Sequence, residues 1–427
     1  MKRTQLAPGV WMNTLDAQKF NRCRISLHFQ FPASRADATA HALLPLVLER
    51  GYAGCPDMTQ LSRKLSRLYG ADLAVDLGTN GGNRVLSISV GGIKDCYALG
   101  GEQLSEEYAA IVFGVAFEPY LVDGVFDAEA VAIEKDKLKK RLEAEINDKR
   151  LYCVRQARRR FFEDAPAGIE RDGYLGEVDG VTPAALYEAY RRILSTATLD
   201  VMVLGARADV VQKALCAQLA KLQRAPAALL PPQAQPSQPA QSFTEALPGI
   251  VQAKLCMLFT AGRPALPEEM AACRLAMSLF GGSPSSRLFL NVREKQSLCY
   301  YCGSSLSSAT GSMMVDSGVL PAKAQAAQKA VLAELQALCE GPIRPEELED
   351  CRRGLLSGLR SVQDSLSGIE NWYYLEICRG GVITTPEQAE QALMAVTVQQ
   401  VRAVLASFSL SVSYLVTARE EGGDGHA

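Results

Sequence analysis

The hydrophobic positions change period several times along the chain. Residues 24–31 (RISLHFQF) alternate with period two and predict a strand. Residues 38–51 follow helical spacing and end at Gly51, a common helix stop. Two further alternating runs, 71–77 and 84–90, flank a Gly-rich turn and predict a hairpin. A long charge-laced stretch, 127–160, predicts helix. Val181-Thr182-Pro183 then opens another helix, with proline in the first turn where a missing N–H costs nothing. An apolar strand follows at 199–207.

The same order returns in the second half. A strand is predicted at 254–260, a helix at 268–281, a strand pair at 300–306 and 312–319, and helix at 344–365. Val396-Thr397 opens a helix that leads to a strand at 411–419. Between the halves, residues 224–242 hold five prolines among Ala, Gln and Ser, and predict an extended linker. The expected division is therefore 1–223, a linker at 224–242, and 243–427. The expected fold class is α+β: a duplicated unit of antiparallel strands with helices on one face.

Composition narrows the function. At 427 residues the chain suits roughly two to four domains. Apolar residues at 48% and charged residues at 22% describe a globular protein, not a disordered one. Lys+Arg (45) against Asp+Glu (47) leaves a formal charge of −2, which argues against nucleic acid as the main partner. Most of the twelve cysteines sit in apolar stretches and read as buried, reduced thiols. The N-terminal segment lacks a signal-peptide core, and no run of about 18 apolar residues exists. The expectation is a cytoplasmic protein with no membrane span. The histidines are only three, His28, His41 and His426, which limits zinc chemistry.

One motif carries a family resemblance. Residues 279–300 read LFGGSPSSRLFLNVREKQSLCY. This resembles the C-terminal-domain signature of the insulinase-like, pitrilysin-type (M16) zinc peptidases: a Gly/Ser loop, Ser-Arg-Leu, Arg-Glu-Lys, then Leu-small-Tyr. The element order is similar to the small bacterial branch of that family over nearly the whole chain. The resemblance implies two homologous domains, of the kind seen in LuxS and the mitochondrial processing peptidase, forming a half-ring. Members of this size pair into a closed chamber. It also implies that Arg293 and Tyr300 bind substrate peptide. Arginine is a permanent planar donor suited to carboxylates and carbonyls, and a tyrosine hydroxyl can donate to an oxyanion.

The family's zinc site is missing. Active members carry His-x-x-Glu-His on the first long helix, two zinc ligands with a water-activating Glu. Anchored on Arg50-Gly51, the five slots fall on Ala42, Leu43, Leu44, Pro45 and Leu46. A one-residue shift admits His41 but places Leu44 and Pro45 in the other two functional slots. The third ligand follows a Glu-basic pair, here Glu134-Lys135, and falls on Arg141. Glu143 and Glu145 lie close by but would be lone carboxylates. No catalytic residue, metal ligand or cofactor is therefore expected.

The remaining motifs read as structural. Cys299 and Cys302 have C-x-x-C spacing but no second pair, and a regular strand turns residues three apart to opposite faces. Residues 78–82 and Gly281-Gly282 fit turns and no phosphate-binding fingerprint. The basic run at 155–160 reads as a solvated or interface helix face. The expected function is a catalytically inactive subunit that binds peptide and forms a heterodimer with a zinc-bearing M16 peptidase. Self-pairing is the alternative when the chain is alone. The alternative function is a stand-alone peptide- or protein-binding module.

Overall fold

The structure is a computed structural model and describes residues 1–419; His426 lies outside the described residues. The chain folds into two compact units that interleave along the sequence. The first contains Met1–Ala144, Ile169–Pro231 and Ser365–Asn371. The second contains Glu145–Gly168, Pro232–Asp364 and the described chain from Trp372 onward.

The first unit is built on a six-stranded sheet. Its order is Lys2–Ala7, Val10–Leu15, Thr198–Leu204, Arg22–Pro32, Asn83–Ile93, Asp72–Asn80. All neighbours are antiparallel except Val10–Leu15 and Thr198–Leu204, which run parallel. Strand Arg22–Pro32 lies near the middle and shows how the sequence sets the two faces. Ile25, Leu27, Phe29 and Phe31 join the apolar core, which also includes side chains of helices Ala38–Leu48, Leu104–Phe117 and Pro183–Thr196. Each such side chain contributes about 1.5–3 kcal/mol on burial. The alternate positions Ser26, His28 and Gln30 are polar yet also buried. That second face is covered in part by segment Ser365–Asn371, through Glu370.

The second unit has a five-stranded sheet in the order Cys299–Ser307, Ser312–Val319, Ala253–Thr260, Ser409–Ala418, Gln241–Leu247. Only the last pair is parallel. Leu255, Met257 and Phe259 enter the main helical core, while Cys256 and Leu258 enter a second core on the other face. That other face is covered by helix Lys149–Phe162, whose Cys153, Ala157, Phe161 and Phe162 are buried there. The long helical stretch expected at 127–160 thus breaks. Helix Ala128–Glu143 ends, Ala144–Asn147 forms a 3-10 turn, and the Asp148 side chain caps a new helix by accepting from the Arg150 and Leu151 amides. Helices therefore lie mainly on one face of each sheet, as the pattern predicts, with one further helical segment on the opposite face. The apolar alternation of both faces of strand Ala253–Thr260 demands that cover.

Apart from the extra N-terminal strand, the two sheets share one strand order and one placement of the parallel pair. This is the fold class expected from the repeated pattern. The Pro-rich stretch forms no helix or strand up to residue 240. It is nevertheless anchored: Asn83 exchanges two hydrogen bonds with the Leu230 backbone in the first unit. In the second unit, Thr260 donates to the Gln235 carbonyl.

Candidate functional site

The residues around Arg293 and Tyr300 are positioned by two widened helical turns. Helix Met270–Met277 passes directly into a π-type turn at Ser278–Gly282, and a second π-helix spans Leu288–Lys295. Such wide turns are rare and concentrate at functional sites. The motif residues divide by role. Leu288 and Val292 are fully buried core. Arg287 is turned inward, donating to the Pro342 carbonyl (2.8 Å) and Glu347 (3.0 Å). Asn291 donates to Glu334 on helix Ala324–Glu340 (2.9 Å). Arg293 instead leaves 39% of its side chain exposed, with its guanidinium 4.5 Å from the Phe289 ring centroid.

Gly281 lets this helical segment lie against strand Cys299–Ser307. A Cβ there would come within 2.7 Å of the Ser304 amide nitrogen and of Leu288 Cδ1. The chain then reverses through Ser297, which has a φ of +48°, while the Leu298 amide donates to the Val292 carbonyl (3.1 Å).

Tyr300 occupies a β-bulge. Cys299 pairs with Val319 and Tyr301 with Gly318, so Tyr300 has no partner across the ladder. A bulge re-aims the side chain it carries. Tyr300 is 54% exposed, although it sits in a strand beside the core. The partial burial of Cys299 and Tyr301 on either side does not extend to it.

The bulge also changes the two neighbouring thiols. Cys299 opposes Val319 and Cys302 opposes Ser317, which are two apart on one strand and share a face. The expectation that Cys299 and Cys302 face opposite sides is corrected: the extra residue restores their alignment. Cys302 is buried and Cys299 half-buried on that face. The neighbouring Cys302 holds the Cys299 thiol down to about 7, outweighing burial, with help from Ser317 and the charge of Arg293. The neighbouring Cys299 and burial push Cys302 up. Sequence spacing signalled this pair, but only the bulge brings it together.

The zinc slots contain no ligand set. Ala42, Leu43, Leu44 and Pro45 are buried in helix Ala38–Leu48, and Pro45 sits within the helix. His41 is also buried, edge-on to Phe31 with ring centroids 4.9 Å apart, and its Nδ1 has no hydrogen-bond partner. Burial pushes it down to about 4, so it is neutral. Glu134 is held by Arg50 (2.7 Å) and Lys137 (2.8 Å). Arg141 pairs with Asp172 at 3.6 Å. Among the described residues no group of three or more His, Cys, Asp or Glu is arranged to hold a metal. Aliphatic side chains, a proline and an arginine do not fit zinc, and no chemistry is derived through it.

The basic run at 155–160 is absorbed by packing within the second unit. Arg155 pairs with Glu145 (2.5 Å), and Arg158 and Arg160 lie over Phe162 and Phe243. A cleft of about 300 Å³ is lined by Arg274, Arg379, Met277 and Leu306, among others. Neither Arg293 nor Tyr300 lines it.

The chain is similar to known proteins over most of its length. Residues 180–355 match the family described as the Peptidase M16 inactive domain. A Bacillus subtilis (strain 168) protein, "Probable inactive metalloprotease YmfF", is 26% identical over 368 residues, 86% of each chain. A conserved protein from Enterococcus faecalis V583 superposes with a TM-score of 0.90 at 24% identity, over 98% of this chain and 99% of that one. A Helicobacter pylori protease gives 0.79 at 13% identity, over 97% and 99%. A peptidase M16 inactive domain from Pseudomonas fluorescens gives 0.77 at 19% identity, over 98% of each.

Proposed function

We propose that this chain is an inactive homologue of the M16 peptidases and serves as the substrate-gripping half of a two-chain peptidase. The partner is an M16 chain with an intact His-x-x-Glu-His helix. In this reading the partner supplies zinc and its activated water. This chain supplies Arg293, which takes backbone carbonyls or a carboxylate of the peptide, and Tyr300, which donates its hydroxyl. No proton transfer or bond cleavage is assigned to this chain alone.

The observation that carries the reading is the bulge at Tyr300. A strand residue between two half-buried neighbours is turned out to 54% exposure, close in the chain to a half-exposed Arg293 on a π-helix. Folding stability gives no reason to expose both. The division of the chain at 224–242, a cytoplasmic location and heterodimer formation belong to the same proposal.

The test is co-purification with a zinc-bearing M16 chain, followed by peptide cleavage assays. The pair is expected to cleave, and Arg293→Ala is expected to lower kcat/KM without dissolving the pair. Unchanged cleavage by the Arg293→Ala pair would sink the shared site.

A further inference from the structure

We propose that the cleft beside Arg274 in the second unit is a binding site for a small aliphatic monocarboxylate.

One helix face builds its wall. Met270, Cys273, Arg274 and Met277 recur at helical spacing on helix Met270–Met277, and all four line the cleft. Leu306 of strand Cys299–Ser307 and Leu355 of helix Pro345–Ser361 extend the apolar lining. Arg379, the last residue of helix Leu366–Arg379, brings a second guanidinium. Every one of these residues belongs to the second unit. Among the described residues lining the cleft, both charged ones are arginines.

The acid behind them does not balance that charge. Glu376 is buried, and its two oxygens are already engaged. Oε1 accepts from Arg379, and Oε2 accepts from the Thr384 amide at 3.2 Å. Arg274 Nη2 stays 3.9 Å from Oε1, beyond hydrogen-bond distance. Its guanidinium lies instead 4.7 Å from the Trp372 ring centroid. Two cations therefore share one carboxylate. Burial and the charge of Arg379 hold the Arg274 guanidinium below its ordinary range, and Glu376 offsets this only in part. One added negative charge at Arg274 restores neutrality. A planar guanidinium takes a carboxylate through two parallel N–H donors.

Size and lining define the rest of the ligand. The cleft holds about 300 Å³, at the lower end for ligand pockets. That is room for a short chain and not for a folded partner or a peptide segment. Met270, Met277, Leu306 and Leu355 offer an aliphatic tail apolar contacts, and methionine side chains adapt to its shape. A dianion such as phosphate would carry one charge too many and set bare oxygens against these side chains.

The site is tested on the full-length chain without any peptidase partner, so failure of the peptide-binding reading leaves the outcome untouched. Hexanoate, hexanol and hexylammonium are titrated by calorimetry, and the unfolding midpoint is followed with each. Hexanoate is expected to bind saturably and to raise the midpoint, because a ligand held only by the folded state stabilises it by mass action. Hexanol has the same chain without the charge and is expected to bind about tenfold more weakly. Hexylammonium is expected not to bind. Arg274→Met keeps an apolar stem and is expected to weaken hexanoate binding by about tenfold or more. Ser308→Trp guards against misfolding of that variant. Ser308 lines the cleft, and its backbone carbonyl accepts from the Ala265 amide, so the new ring fills the cleft and leaves Arg274 in place. It is expected to abolish hexanoate binding with the midpoint of the free chain preserved. Arg293→Ala is expected to bind hexanoate like wild type. No saturable binding at millimolar hexanoate, equal binding of hexanol, or unchanged binding by Arg274→Met would overturn the proposal.

Discussion

His28 Nε2 lies 3.0 Å from Glu370 Oε1, joining residues from opposite ends of the sequence inside one compact unit. Both residues are buried, with Glu370 only 3% exposed. Arg24 Nε donates to the second carboxylate oxygen at 2.6 Å, and His28 Nδ1 is 2.8 Å from the Ser87 hydroxyl. A buried carboxylate with a guanidinium and an imidazole is costly to disturb, because removing one partner strands the others. It explains why the polar face of strand Arg22–Pro32 is stable away from water.

Burial raises the Glu370 carboxyl, but the hydrogen bond from His28 and the charges of His28 and Arg24 outweigh it and hold it below its ordinary 4.5. A carboxyl depressed in the folded state stabilises above its unfolded value and loses that contribution as pH falls through the folded value. Glu370→Gln is therefore expected to cost about 1–3 kcal/mol at pH 7. The difference from wild type is expected to shrink as pH drops below 4.5. Urea unfolding from pH 7 to pH 3 checks this. A difference that stays constant with pH would remove Glu370 from the ionised network.

His41 gives an opposite window. Burial lowers it from 6.5 to about 4, so the folded state binds its proton less readily than the unfolded chain. Stability is then lost as pH falls from 6.5 toward 4. Two and a half units correspond to about 3 kcal/mol at most. His41→Leu is expected to flatten the pH dependence of unfolding in this interval while leaving the region below it unchanged. A variant curve parallel to wild type would place the titration elsewhere.

Gly281→Ala addresses the seat of the Arg293 helix. The added Cβ would meet backbone and Leu288 at 2.7 Å, so either the π-turn or strand Cys299–Ser307 must move. Overpacking of this kind costs about 1–3 kcal/mol. The expected result is a lower unfolding midpoint with weakened peptide cleavage by the pair. Gly358→Ala, inside helix Pro345–Ser361 where a Cβ meets nothing within 4 Å, is expected to raise the unfolding midpoint slightly and leave cleavage unchanged.

What the sequence revealed depended on regular periods. Residues 24–31 were legible because large apolar and polar positions alternate there, and 254–260 because a short apolar run fills a core on each face. The shared order of the halves followed from that. The strands Lys2–Ala7 and Val10–Leu15 were not read, being short and, in the first case, largely exposed. Nor was the membership of helix Lys149–Phe162 in the second unit, since packing partners far along the chain leave no local period. The bulge at Tyr300 was the costliest omission. One unpaired residue inverts the facing of every position before it, so strict alternation separates Cys299 from Cys302 when the register unites them. The zinc slots were legible as losses, because ligand chemistry tolerates few residue types and Ala42, Pro45, Leu46 and Arg141 are none of them.

Those four slots allow a direct test of whether their side chains alone exclude zinc. Wild-type protein dialysed against chelator and then against zinc is expected to retain almost none by mass spectrometry. The variant Ala42→His, Pro45→Glu, Leu46→His, Arg141→Glu places two imidazoles four residues apart on one helix face, with a carboxylate on the neighbouring helix. Replacing Pro45 also returns a backbone N–H to the helix interior. The expected outcome is about one zinc per chain, with the count set by the three donors. A chelator-sensitive unfolding midpoint would accompany it, because metal bound only to the folded state stabilises it by mass action. A folded variant that binds no zinc would show that helices Ala38–Leu48 and Ala128–Glu143 do not bring these slots together. A wild-type chain that retains one zinc would place a donor set outside the slots, and the reading of this chain as a silent subunit would fall with it.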